Sequence, residues 1–346
     1  MKKISYQNIS DVISLLRFPL ALFVVFIHVE GRYFNFENIS TGTFLITHFI
    51  SNIICKVAVP TFFFISGFLF FFKIKEFSTE VYLTKQKKRI KSLLIPYIIW
   101  NTIAFLVFML AKFVGVNSFV TNFSLGDDII SNIVKIYGYT VSWKGVSIIH
   151  VPFTFRTPID GPLWFIRDLM ILSVLSPLIY WLIRSFGFYL LIVLFGILLL
   201  FGHPSYTALF YFSLGCYFSI TNRDPLEFYI KYKWIIWICI FLLVFPAFVK
   251  GSVYKNILLV PMVFSILGCS QFLSNSMTIS LKNLSYYSFC IYVTHAIFSL
   301  PISAKLFSLL NVSPLIYYFG VGISSIAISI MIYYILCPFT KWLRIV

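Results

Sequence analysis

Residues 12–29 read VISLLRFPLALFVVFIHV, a run in which only Arg17 and His28 can carry charge. Eighteen helical residues rise about 27 Å, close to the roughly 30 Å of a bilayer's hydrocarbon core. The run therefore predicts a membrane-spanning helix. Met1-Lys2-Lys3 ahead of it has the character of a signal-peptide n-region. Arg17 interrupts the apolar segment, however, and no small-residue cleavage site follows, so it is read as a retained first span.

Working outward, the same texture covers the chain. Of 346 residues, 60% are apolar and 11% charged, against about a quarter charged in soluble domains. That excludes a soluble enzyme, a disordered chain and a small disulfide scaffold. Apolar segments fall at about 12–30, 44–72, 92–113, 162–183, 186–202, 204–220, 234–249, 256–273, 286–302 and 315–339. They predict an all-α, polytopic integral membrane protein of about ten transmembrane helices. The fifth and sixth segments, split only by Gly202-His203-Pro204-Ser205, can also be one broken helix. The expectation is a single membrane-embedded domain over residues 1–346, with no separate soluble domain.

The net charge of +16 would suggest nucleic acid in a soluble protein. Here it follows from the accumulation of basic residues on cytoplasmic loops, so no nucleic-acid partner is expected. With the N-terminus inside, inner basic residues outnumber the outer set (Arg32, Lys112, Lys135, Lys144, Arg156, Lys250, Lys255 and Lys305) by about two to one. Both termini are then cytoplasmic, and the long 114–161 loop lies outside. In that loop Ser124 and Asp127 predict the cap of a short amphipathic helix. The six cysteines stand singly in apolar stretches and read as buried hydrophobes; no metal site is predicted.

A charged side chain at a helix centre costs about 2.5–3.5 kcal/mol on insertion scales, so intramembrane ionisable groups are the candidates for function. Arg17 and His28 are eleven positions apart. At 100° per residue this returns to within about 20° of the same face, with about 16 Å between them along the axis. A snorkelling arginine and an interfacial histidine are the plain alternatives. Gly161-Pro162-Leu163-Trp164-Phe165-Ile166-Arg167-Asp168 opens the fourth segment. Neighbours on a helix point about 100° apart, so Arg167 and Asp168 are expected to contact different partners rather than each other. Tyr292-Val293-Thr294-His295 puts His295 near mid-membrane. Lys85-Gln86-Lys87-Lys88-Arg89-Ile90-Lys91, before Pro96-Tyr97, is either a topology signal or an anion site. Ser66-Gly67, in Phe62-Phe63-Phe64-Ile65-Ser66-Gly67-Phe68, is a small notch that lets a helix or a ligand approach closely.

Taken in order, these elements resemble the acyltransferase 3 family of membrane acyltransferases, especially its bacterial surface-polysaccharide O-acetyltransferases, over nearly the whole chain. The resemblance implies transfer of an acetyl or other short acyl group from acetyl-CoA (acyl-CoA) to a hydroxyl of a surface glycan or lipid-linked sugar. It implies a bacterial inner-membrane location. On this reading the donor's phosphates rest near Lys87, Lys88, Arg89 and Lys91, with Arg17 along the arm and Ser66 in the donor path. His28 is the general base, an imidazole titrating near about 6.5 being suited to that task; an acyl-histidine intermediate is the variant. Arg167 stabilises the oxyanion or holds an acidic acceptor. Trp164, Asp168, His295 and Glu30 belong to the acceptor side. Glu30 can orient His28 only if the helix ends near Gly31, because two positions differ by about 200°. The rival reading is a secondary transporter or glycan exporter, but the paired repeats and matched broken helices common there are not found.

Overall fold

The computed structural model describes residues 6–33, 39–74, 76–114, 129–138, 141–144, 154–270, 273 and 275–343. The described chain forms helices α1 (Tyr6–Tyr33), α2 (Thr41–Phe71), α3 (Thr79–Phe113), α4 (Ile129–Tyr137), α5 (Trp164–Val174), α6 (Ser176–Phe186), α7 (Phe188–Phe201), α8 (Pro204–Ile220), α9 (Pro225–Lys250), α10 (Ser252–Cys269), α11 (Met277–Leu309) and α12 (Pro314–Leu343). A short antiparallel ribbon, β1 (Val141–Lys144) with β2 (Thr154–Thr157), lies between α4 and α5. The all-α membrane fold class holds.

Among the described residues, seven helices are long and apolar enough to cross a bilayer, and α5 with α6 makes an eighth if counted as one bent span. The expected ten is not reached. The fourth segment is not one straight helix: it bends by 63° after Val174. Pro177, in the first turn of α6, has no N–H to continue the ladder, and its ring disfavours helical geometry before it. The α7 helix has 14 residues and rises only about 21 Å, short of a full crossing. It ends on Gly202 at φ 61°, and His203 caps α8, so segments five and six are separate helices. Ser124 and Asp127 lie outside the described residues; α4 begins just after them.

The first helix is the wedge of the bundle. Val12, Ile13, Leu16, Leu20 and Val24 pack into a core shared with α2, α5–α10. Phe18, Ala21, Val25 and Val29 pack into a second core with α11 and α12. Each set recurs at three- and four-residue steps, so two apolar stripes run along one helix. Between the stripes, His28 faces the seam with α11, and Glu30, about 200° around the helix, faces α2.

Helix α2 crosses α8 with backbone against backbone. A Cβ on Gly67 would lie 2.0 Å from the Phe212 carbonyl oxygen, and one on Gly215 would lie 2.0 Å from that of Phe64. Only glycine lets the two backbones touch. The Ser66-Gly67 notch therefore serves helix packing, with Ser66 half-buried beside it.

Candidate active site

His28 and His295, far apart in sequence, meet across the seam. Their ring centroids are 4.9 Å apart at an interplanar angle of 64°. His28 Nδ1 lies 2.8 Å from the Val24 carbonyl oxygen. His295 Nδ1 lies 3.1 Å from that of Ile291 and 2.7 Å from that of Tyr292. A carbonyl only accepts, so Nδ1 carries the hydrogen on both rings, and in the neutral ring the lone pair is on Nε2. His295 is fully buried and His28 half-buried, which makes His28 the ring a substrate can reach. Local backbone geometry helps to place His295, because α11 widens to a π turn over His295–Ser299. Such turns recur at functional sites.

Tyr292 ties this pair to the Gly161–Asp168 element. Its ring is 6.2 Å from that of His295 and 6.0 Å from that of Phe165, and its hydroxyl donates to the Pro162 carbonyl. Phe165 in turn packs on Phe63 at 4.5 Å, as does Trp164 at 6.1 Å, so both are anchored on α2. From α3, Asn101 accepts the Asp160 N–H at 3.2 Å, and the Tyr97 hydroxyl donates to the Tyr137 carbonyl.

The expectation that Arg167 and Asp168 would seek different neighbours is corrected. Arg167 Nε and Nη2 donate to the same Asp168 oxygen, at 3.0 and 2.8 Å. The 100° step fixes only the Cα–Cβ directions, and the long arginine side chain folds sideways across it. Asp168, buried, uses its other oxygen to accept from Ser205 Oγ at 2.9 Å. The pair is thus clamped to the α7–α8 corner. At that corner His203 Nδ1 accepts the Ser205 N–H at 3.2 Å. Burial pushes His203 below the usual imidazole range, Asp168 draws it upward and Arg167 adds to the fall.

The basic stretch on α3 divides in two. Arg89 and Lys85 lie over the Phe70 ring, at 5.7 and 5.3 Å. Lys87, Lys88 and Lys91 are exposed on the other face, as the i, i+3, i+4 spacing requires. Gln86 Nε2 donates to the Ser173 carbonyl at 2.6 Å and the Tyr82 hydroxyl to that of Val174 at 3.2 Å, docking this end of α3 on the α5–α6 bend. Arg17 is exposed on α1.

Glu30 does not orient His28. Helix α1 continues through Tyr33, so the two side chains diverge. The Glu30 carboxylate instead takes His48 Nδ1 at 2.8 Å and an N–H of Asn52. Neither His48 nor Asn52 was singled out in the sequence, although a polar pair four residues apart inside an apolar span is the same signal that marked His28.

The family model Acyl_transf_3, described as an acyltransferase domain, matches residues 11–334. No curated protein and no solved structure matches the chain.

Proposed function

This chain belongs to the acyltransferase 3 family, and from that premise we propose that it moves an acetyl or other short acyl group from acyl-CoA to a hydroxyl of a surface glycan or lipid-linked sugar. It is an integral membrane acyltransferase; the finer assignments are our reading. The observation that carries them is the juxtaposition of His28 and His295 at 4.9 Å between α1 and α11.

His28 Nε2 takes the acceptor hydroxyl's proton as that oxygen attacks the thioester carbonyl. The C–S bond breaks, and the departing thiolate recovers the proton from the imidazolium. His295 presents a neutral, electron-rich ring to that imidazolium, stabilising the charge much as an aromatic face does. Arg167, steered by Asp168, stabilises the oxyanion. The donor's phosphates rest on Lys87, Lys88 and Lys91 with Arg89 at their inner edge, and Arg17 and Ser66 line the route of its arm. Trp164 contributes an apolar face to the acceptor side. The protein sits in a bacterial inner membrane with both termini in the cytoplasm.

The test is acyl transfer by purified protein in vesicles, with labelled acetyl-CoA and an acceptor glycan. Acyl-CoA binding with transfer supports the reading. Glycan movement across the vesicle wall without acyl-CoA binding refutes it in favour of an exporter.

A further inference from the structure

The wide turn that carries His295 is held from the neighbouring helix. Thr294 stands just before it and Ser299 closes it. Ser329 of α12 reaches both: its Oγ lies 3.0 Å from Thr294 Oγ1 and 2.7 Å from Ser299 Oγ. Thr294 also donates to the Cys290 carbonyl at 2.7 Å, and the Cys290 thiol lies 3.5 Å from the Ser329 carbonyl. Thr294, Ser299 and Ser329 are all fully buried, in a seam where no water replaces a bond left unmade. One turn along the same seam, Ser303 and Ser325 are buried too, yet among the described residues neither Oγ has a hydrogen-bond partner. Facing serines alone therefore do not make a bridge; the bridge forms at the π turn.

It depends on the shape of that turn. On a regular α-helix five positions amount to about 500°, so Thr294 and Ser299 would point about 140° apart, and side chains this short could not converge on one hydroxyl. In the π turn the Leu300 N–H bonds the His295 carbonyl, five residues back, and the extra residue draws the two ends toward one side. The core shows the same accommodation. Ile291 and Leu300 are nine positions apart, about 180° on a regular helix, yet both are fully buried in the core that α11 shares with α1 and α12. Relaxing the turn to α geometry would re-phase the two halves of α11 by roughly 100°. His295 sits at the junction, so either its ring would leave the 4.9 Å contact with His28 or the core would lose Leu300.

We propose that Ser329, through Thr294 and Ser299, is a positioning residue: its hydroxyl holds the π turn of α11 in its wide form and so sets the His295 ring against His28. Its effect on transfer rests on the acyltransferase reading, in which His295 stabilises the His28 imidazolium. Its effect on the two rings does not.

Two readouts on the full-length protein separate position from fold. In protein carrying nitrogen-labelled histidine, in nanodiscs, the imidazole signals of His28 and His295 report the ring contact; each is identified by its loss in His28→Asn or His295→Ala. Ser329→Ala is expected to shift both. Ser325→Ala, which removes an unpartnered hydroxyl one turn away, is expected to shift neither. In the vesicle transfer assay, Ser329→Ala should lower turnover by no more than His295→Ala does, about 2–30-fold. KM for acyl-CoA should stay unchanged, and the substitution should cost nothing further when His295 is already alanine. Thr294→Val, which keeps the shape without the hydroxyl, should reproduce the loss, and Thr294→Ser should restore turnover. A folded Ser329→Ala protein with wild-type imidazole signals, or with a loss that persists in full on the His295→Ala background, overturns the proposal. If Ser329→Ala does not fold, Ser299→Ala cuts one arm of the bridge and carries the same readouts. Failure of the acyltransferase reading shows separately, as absent transfer by wild type with the imidazole signals still following Ser329.

Discussion

Replacing His28 by asparagine isolates the proposed base from its setting. Asparagine keeps an N–H near the Nδ1 position that bonds the Val24 carbonyl at 2.8 Å, but has nothing in place of Nε2. A positioned general base contributes about 10²–10⁴-fold, or about 2.7–5.4 kcal/mol of barrier. The His28→Asn turnover should fall by that factor. His295 touches His28 through a ring contact at 4.9 Å, and a cation against an aromatic face is worth about 0.5–2 kcal/mol, so His295→Ala should cost about 2–30-fold. If His295 acts only through His28, removing it from the His28→Asn protein costs nothing further, and the coupling energy equals the whole of the single effect. The assay is acetyl transfer in vesicles at saturating acetyl-CoA, on variants matched for elution and melting in detergent. A folded His28→Asn variant within tenfold of wild type would refute the base. Full additivity of the two substitutions would refute the coupling.

Three other outcomes are expected. Converting Lys87, Lys88 and Lys91 together to Gln should raise KM for acyl-CoA more than KM for the acceptor, because these lysines are exposed on one face of α3; equal changes in both would leave only a topology signal. Gly67→Ala should lower stability by about 1–3 kcal/mol, since its methyl meets the Phe212 carbonyl, whereas Gly196→Ala, with open space around it, should leave detergent melting unchanged; matching behaviour of the two would sink the crossing argument. In vesicles of known orientation, with acetyl-CoA confined to the face bearing Lys87 and Lys88, an impermeant acceptor should be modified from the opposite face; modification only on the donor's face defeats a through-membrane path.

Hydropathy made the membrane fold legible because insertion energy is a local, additive property of sequence. Helix count was less legible for a related reason. A window average registers apolar residues without registering where backbone hydrogen bonding stops, so it counted α7 as a span and passed over the bend after Val174 despite Pro177. Candidate residues were found wherever a charge stood inside an apolar run, which captured His28, His295, Arg167 and Asp168. Their partners were not legible. The meeting of α1 with α11, and the grip of His48 and Asn52 on Glu30, depend on helix packing, which spacing along one chain does not encode. Arg167–Asp168 failed for the opposite reason: a rule about backbone directions was applied to a side chain long enough to evade it.

The position of α1 between two cores fixes the directions in which its polar side chains are presented. Its two apolar stripes hold it on either side, leaving Arg17, His28 and Glu30 to emerge from a helix that cannot rotate without breaking one core or the other. Along it, Arg17 and His28 are about 16 Å apart on nearly one face, whereas Glu30, two residues beyond His28, faces α2 on the other side. On the proposed reading, that interval accommodates an extended donor arm reaching from the exposed lysines of α3. Sliding α1 by one turn, about 5.4 Å, would break the His28–His295 contact and the Glu30–His48 bond together, so the wedge packing is a condition of the proposed chemistry as well as of the fold.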